Sequence, residues 1–137
     1  MTSVLFVCHS NGVCSPIAEA LLKHLAADRY RVMSAGVEPT QTDANALAAL
    51  HKLGVSTEGL VCKGLDAVEG EYFDIVISLC EQAEAAAQAV PAARHMAWHF
   101  EDAPCCSQAN ATKITQEIYE RIKLLVLVQD RQEKTLW

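Results

Sequence analysis

No stretch of this sequence is apolar for long enough to cross a bilayer. The strongly apolar runs at residues 4–8 and 124–128 fall far short of the roughly 20 residues that a spanning helix needs. Basic residues are scarce, 11 against 17 acidic ones, and the net charge of −6 excludes broad electrostatic binding to nucleic acid or to an anionic membrane. Glycine (6) and proline (4) are too few for a collagen-like or low-complexity chain, and hydrophobic residues (51%) are too many beside charged ones (20%) for disorder. No basic leader precedes the first apolar segment, so the expectation is no signal peptide and a cytoplasmic location. What is left is one globular domain over residues 1–137. A local anion site is compatible with the negative charge, because backbone amides at a helix N-terminus hold phosphate without help from net charge.

Cysteine, by contrast, is abundant. Cys8, Cys14, Cys62, Cys80, Cys105 and Cys106 are many for a chain of this length in a reducing compartment. Such usage points to nucleophilic, redox or metal chemistry, since structural disulfides do not persist there.

The pattern of elements predicts an α/β domain. Residues 3–8 form an apolar, β-rich run that stops at Ser10, Asn11 and Gly12. Ser15 as N-cap and Pro16 at the first helical position then open a helix with apolar Ile17, Ala18, Leu21, Leu22 and Leu25. A second strand is expected at 29–34, and a second helix from Thr42 or Asp43 to a stop at Gly54. Residues 73–79 (FDIVISL) read as a strand covered on both faces. Residues 81–90 read as a helix, 95–100 as a last short strand, 101–111 as an exposed loop, and the chain from Thr112 as a long amphipathic helix. Alternating strands and helices imply a three-layer sandwich around a four-stranded parallel sheet, with right-handed crossovers. In such sheets ligands sit at the C-terminal strand ends, where Cys8, Cys80 and the 101–106 loop all fall.

The segment from Cys8 through His9, Ser10, Asn11, Gly12, Val13 and Cys14 to Ser15 joins the first strand to the first helix. Its amides are expected to converge as an anion cradle, and the positive helix end stabilises the thiolate of Cys8 as a nucleophile. VCHSNGVCSPIAEALL resembles the phosphate loop of the low-molecular-weight protein tyrosine phosphatases and the thioredoxin-coupled arsenate reductases, whose pattern is C-x5-R-S before a helix that often reads P-[IM]-A-E-A. SAG at Ser34 to Gly36, FDIVISLC ending at Cys80, WHFEDAP at Trp98 to Pro104 and EIYERIKL resemble family segments in the same order. The departure is Cys14, which stands where the family has an arginine that binds the oxyanion with two charge-assisted hydrogen bonds. Losing that fork costs about 3–6 kcal/mol of anion or transition-state binding.

The resemblance implies a thiol-based oxyanion enzyme nearer the arsenate reductases, with Cys8 as nucleophile, Cys80 as resolving thiol and Asp102 as general acid. It also implies His9 to Ser15 as the oxyanion-binding loop. No resident cofactor follows from it; thioredoxin or glutaredoxin serves as reductant, and the substrate is arsenate or phosphate, or a phosphotyrosine protein in the phosphatase alternative. A third alternative is an oxyanion or redox sensor that keeps the fold without the arginine. No cysteine follows Cys80 within 81–90, which leaves Cys14 or the pair Cys105 and Cys106 as a third thiol. His95, His99, Cys105 and Cys106 are zinc-type ligands, but their spacing matches no standard finger and no metal is expected.

Overall fold

The structure is a computed structural model that describes residues 2–9, 14–38, 44–60, 63–98 and 108–135, with side chains of the last segment described over 112–129. Four strands, β1 (Thr2–Cys8), β2 (Tyr30–Gly36), β3 (Phe73–Ser78) and β4 (Ala92–Ala97), form one parallel sheet in the order β2-β1-β3-β4. The helices are α1 (Cys14–Ala26), α2 (Ala44–Lys52), α3 (Glu84–Gln88) and α4 (Gln108–Thr135), with 3-10 turns at Leu65–Val68 and Glu81–Ala83.

The register assigns each side chain to a layer. Phe6 lies level with Ser34 and Ile77, and its ring meets Trp98 at 6.1 Å. The Arg121 guanidinium of α4 lies over Trp98, so this face of the sheet is the one that α4 covers. Helix α4 buries Ile114, Ile118, Ile122 and Leu125 and packs against both α1 and α2. On the other face Val76 and Ser78 look toward α3, while the Leu65–Val68 turn and α3 together line a cavity of about 380 Å³. The molecule therefore has three layers: α1, α2 and α4; the sheet; and α3 with the 3-10 turns. β1 is buried in the centre because Val4 to Val7 are wholly apolar and have no exposed face to lose.

Several boundaries differ from the sequence expectation. α1 begins at Cys14, so Ser15 lies in the first helical turn and is not the N-cap. The fourth strand, Ala92–Ala97, begins three residues before the expected 95, since Phe73 N–H pairs with the Pro91 carbonyl and starts the ladder early; of the expected 95–100, residues 99 and 100 lie outside the described residues. Residues 81–90 do not make one helix. Without large apolar anchors the segment divides into a 3-10 turn and the five-residue α3, neither of which has a side-chain N-cap. α4 starts at Gln108, four residues before the expected Thr112. Gly54, as expected, closes α2: it has φ +74°, and the Val55 and Gly54 N–H groups donate to the Leu50 and His51 carbonyls.

A buried carboxylate ties α1 to β2. Glu19 is only 2% exposed; it accepts from Ser34 Oγ at 2.5 Å and from Lys23 Nζ at 2.6 Å, with Lys63 Nζ at 3.9 Å. Glu19→Ala leaves the buried Ser34 hydroxyl without its carboxylate, and a buried polar group that loses a charged partner costs about 2–4 kcal/mol. Urea unfolding is expected to show a lower midpoint by that amount with an unchanged slope.

Candidate active site

β1 pairs with β2 on one side and β3 on the other, so strand order reverses beside it, and in sheets of this kind ligands sit at the C-terminal strand ends at that point. Cys8 is the last residue of that strand. Its carbonyl accepts from Val37 N–H at 3.1 Å, which holds its backbone to the chain leaving β2. By pleat alternation its side chain lies on the face of Phe6, the face of α1. Cys8 Sγ is 2.9 Å from Ser15 Oγ, and both residues are buried. The sulfur is therefore at the first turn of α1, where the positive end of the helix dipole favours a thiolate, and a hydroxyl beside it can donate to that thiolate.

The other expected loop residues divide between those the structure places and those it does not describe. His9 turns outward, with Nε2 3.4 Å from Glu38 and more than a third of its side chain exposed. Cys14 is buried as the first residue of α1. Ser10, Asn11, Gly12, Val13 and the expected acid Asp102 lie outside the described residues, as do Cys62, His99, Cys105 and Cys106. Cys8, Cys14 and Cys80 carry thiols and are not joined in disulfides.

Cys80 follows β3 in extended conformation (φ −149°, ψ 158°) and precedes the Glu81–Ala83 turn. Leu79 N–H donates to the Val7 carbonyl at 2.9 Å, so Leu79 stands level with Cys8 and Cys80 lies one residue further on. Cys8 ends β1 and Cys80 lies two residues beyond the end of neighbouring β3, and pleat alternation directs Cys80 to the α3 face and Cys8 to the α1 face. His95 is exposed on edge strand β4, its Nε2 donating to the Val90 carbonyl, and no group of three metal-type ligands occurs among the described residues. Sequence reasoning missed the Glu19–Ser34–Lys63 cluster between α1 and β2. The signal was present: Glu19 is a charge within the apolar stripe of Ile17, Ala18, Leu21 and Leu22.

A thiol at the end of the central parallel strand, set against the first turn of the following helix, defines a phosphatase-like oxyanion fold. The family model described as low molecular weight phosphotyrosine protein phosphatase matches residues 3–135, and the chain belongs to that family. An arsenate reductase of Bacillus cereus (strain Q1) is 30% identical over 122 residues, 88% of this chain and 91% of the relative. Among solved structures, an arsenate reductase in the phosphate-binding state aligns with a TM-score of 0.81 and 26% identity, over 93% of this chain and 98% of that one. A thioredoxin-dependent arsenate reductase of Corynebacterium glutamicum aligns with a TM-score of 0.76 and 27% identity, over 96% of this chain and 63% of that one.

Cys8 is expected to alkylate before the other cysteines at neutral pH despite its burial. Ser15→Ala should slow that reaction about tenfold or more, the worth of one hydrogen bond to a charged sulfur. Timed iodoacetamide labelling with peptide mapping measures both.

Proposed function

We propose that the protein is a thiol-dependent arsenate reductase. The carrying observation is Cys8 Sγ held 2.9 Å from the buried Ser15 hydroxyl at the start of α1, with a second buried thiol, Cys80, two residues beyond the end of the adjacent strand. The relatives named above as arsenate reductases support the same reading.

In this mechanism the Cys8 thiolate attacks arsenate, Asp102 protonates the departing oxygen, and water leaves as the S–As bond forms. The loop from His9 to Ser15 holds the remaining oxygens. Cys80 then attacks Cys8 Sγ: the Cys8–Cys80 disulfide forms, the S–As bond breaks, and its electron pair stays on arsenic, which departs as arsenite. A thioredoxin- or glutaredoxin-type protein in a reducing cytoplasm returns the disulfide to two thiols. No resident cofactor or metal enters these steps. Because the thiols start on opposite faces of the sheet, the second step requires the segment after β3 to rearrange. Its construction suits that, since α3 has five residues and no side-chain cap.

A second reading, a phosphatase acting on phosphotyrosine proteins, is favoured by the family match and needs Cys8 and Asp102 but no second thiol. The two separate cleanly. With arsenate and thioredoxin, Cys80→Ser is expected to lose at least about a hundredfold in steady turnover, because a single-thiol adduct cannot be resolved. Hydrolysis of an aryl phosphate by the same variant would be unchanged. Activity with aryl phosphate alone, and none with arsenate plus thioredoxin, would establish the phosphatase.

Cys14→Arg restores a guanidinium fork to the loop and is expected to raise oxyanion affinity and turnover at least about tenfold. Unchanged values by isothermal titration and initial rates would favour the sensor reading, in which the loop no longer performs chemistry on an oxyanion.

A further inference from the structure

We propose that Cys8 and Cys14 together form a dithiol site for trivalent arsenic, so that this loop retains arsenite more tightly than it binds arsenate. The inference deepens the reading above and rests on the same loop being an arsenic site. Cys8 ends β1 and Cys14 begins α1, and the contact between Cys8 Sγ and Ser15 Oγ fixes the helix start against the first sulfur. Cys14 is one peptide from Ser15, with its Cα about 3.8 Å from that of Ser15. Cys8 and Cys14 are 4% and 2% exposed, so both thiols are withdrawn from water.

That environment discriminates by charge and softness. Arsenate is an anion whose burial requires compensating donors, and Cys14 supplies no cationic fork. Arsenite at neutral pH is the uncharged As(OH)3, a soft centre that thiolates hold well. The exchange balances without an oxidant: two S–H groups and As(OH)3 give two S–As bonds, one remaining As–OH and two waters, with arsenic trivalent throughout. Once one sulfur is bound, the second attacks at the high effective concentration set by the short loop, which is the source of the added affinity. The consequence is product inhibition: arsenite closes the site to arsenate until a thiol in solution exchanges it away.

The test uses the full reduced chain and a Cys62→Ser, Cys105→Ser, Cys106→Ser variant, each titrated with sodium arsenite and read by native mass spectrometry and by mapping of alkylatable thiols. The expected result in the triple variant is a one-to-one adduct that protects Cys8 and Cys14 and leaves Cys80 open to alkylation. Adding Cys14→Ser or Cys14→Ala should weaken the adduct at least about a hundredfold, the loss of a chelating second thiol. Thermal melts of both show whether each stays folded. Protection of Cys8 with Cys80, equal affinity in the folded Cys14 variants, or no adduct at millimolar arsenite overturns the proposal. Arsenate turnover is measured separately: an adduct without turnover ends the reductase reading and leaves the dithiol site standing, whereas turnover without an adduct does the reverse.

Discussion

The Glu19 carboxylate is the interaction on which the rest of the site depends. A helix can slide along a sheet by small steps at little cost in apolar contact, because hydrophobic burial has no direction. A buried carboxylate has direction. Held by Ser34 from β2, by Lys23 one turn along its own helix and with Lys63 close by, Glu19 permits one seating of α1 on the sheet. Ser15 is four residues earlier, one helical turn toward the N-terminus, so the seating of Glu19 sets where the Ser15 hydroxyl falls. It falls against Cys8 Sγ. The charge is costly to bury alone, and the three partners from three segments are what make it tolerable and specific.

The topology adds the second constraint. β1 is paired along its whole length with β2, Thr2 to Cys8 in register with Tyr30 to Gly36, and through its middle with β3, Val4 to Val7 with Ile75 to Ser78. A central strand with no free edge cannot fray readily, so Cys8 sits at the end of a rigid rod. The strand order reverses between β1 and β3, so Cys8 ends the strand at the switch point of the sheet.

Much of this was legible in the chain. Residues 73–79 announced a buried strand by continuous β-branched residues, and β3 is Phe73–Ser78. The sequence Ile114, Ile118, Ile122, Leu125 announced the face of α4 that is buried. The expectation of a thiol at the first strand end followed from local signals alone: an apolar run, a glycine-containing loop and a helix start. The misreadings share a cause. β4 has three exposed residues in a row, Ala93, Arg94 and His95, because it is an edge strand, and so neither alternation nor an apolar run marked it. Composition alone makes residues 81–90 helical, yet alanine supplies helix propensity and little area to bury, so nothing extends the helix. The Glu19 cluster spans 44 residues of sequence between Glu19 and Lys63, and no local pattern encodes such a pairing, although a carboxylate in an apolar stripe marks one end of it.

The thiols of Cys8, at the end of β1, and Cys80, two residues beyond β3, therefore differ in mechanical character. Cys8 is anchored by a doubly paired strand, a bond from Val37 to its carbonyl and the seated helix α1. Cys80 is followed by residues of which only Ala83 and Ala87 are well buried between 81 and 88, each contributing a single methyl group. A segment that buries so little apolar surface opens at a small fraction of the global unfolding free energy. By pleat alternation the two side chains point to opposite faces of the sheet. The doubly held end of β1 and the loosely held segment after β3 thus stand side by side at one end of the sheet: hydrogen bonds and a seated helix fix the position of Cys8, whereas little buried apolar area holds the chain that follows Cys80.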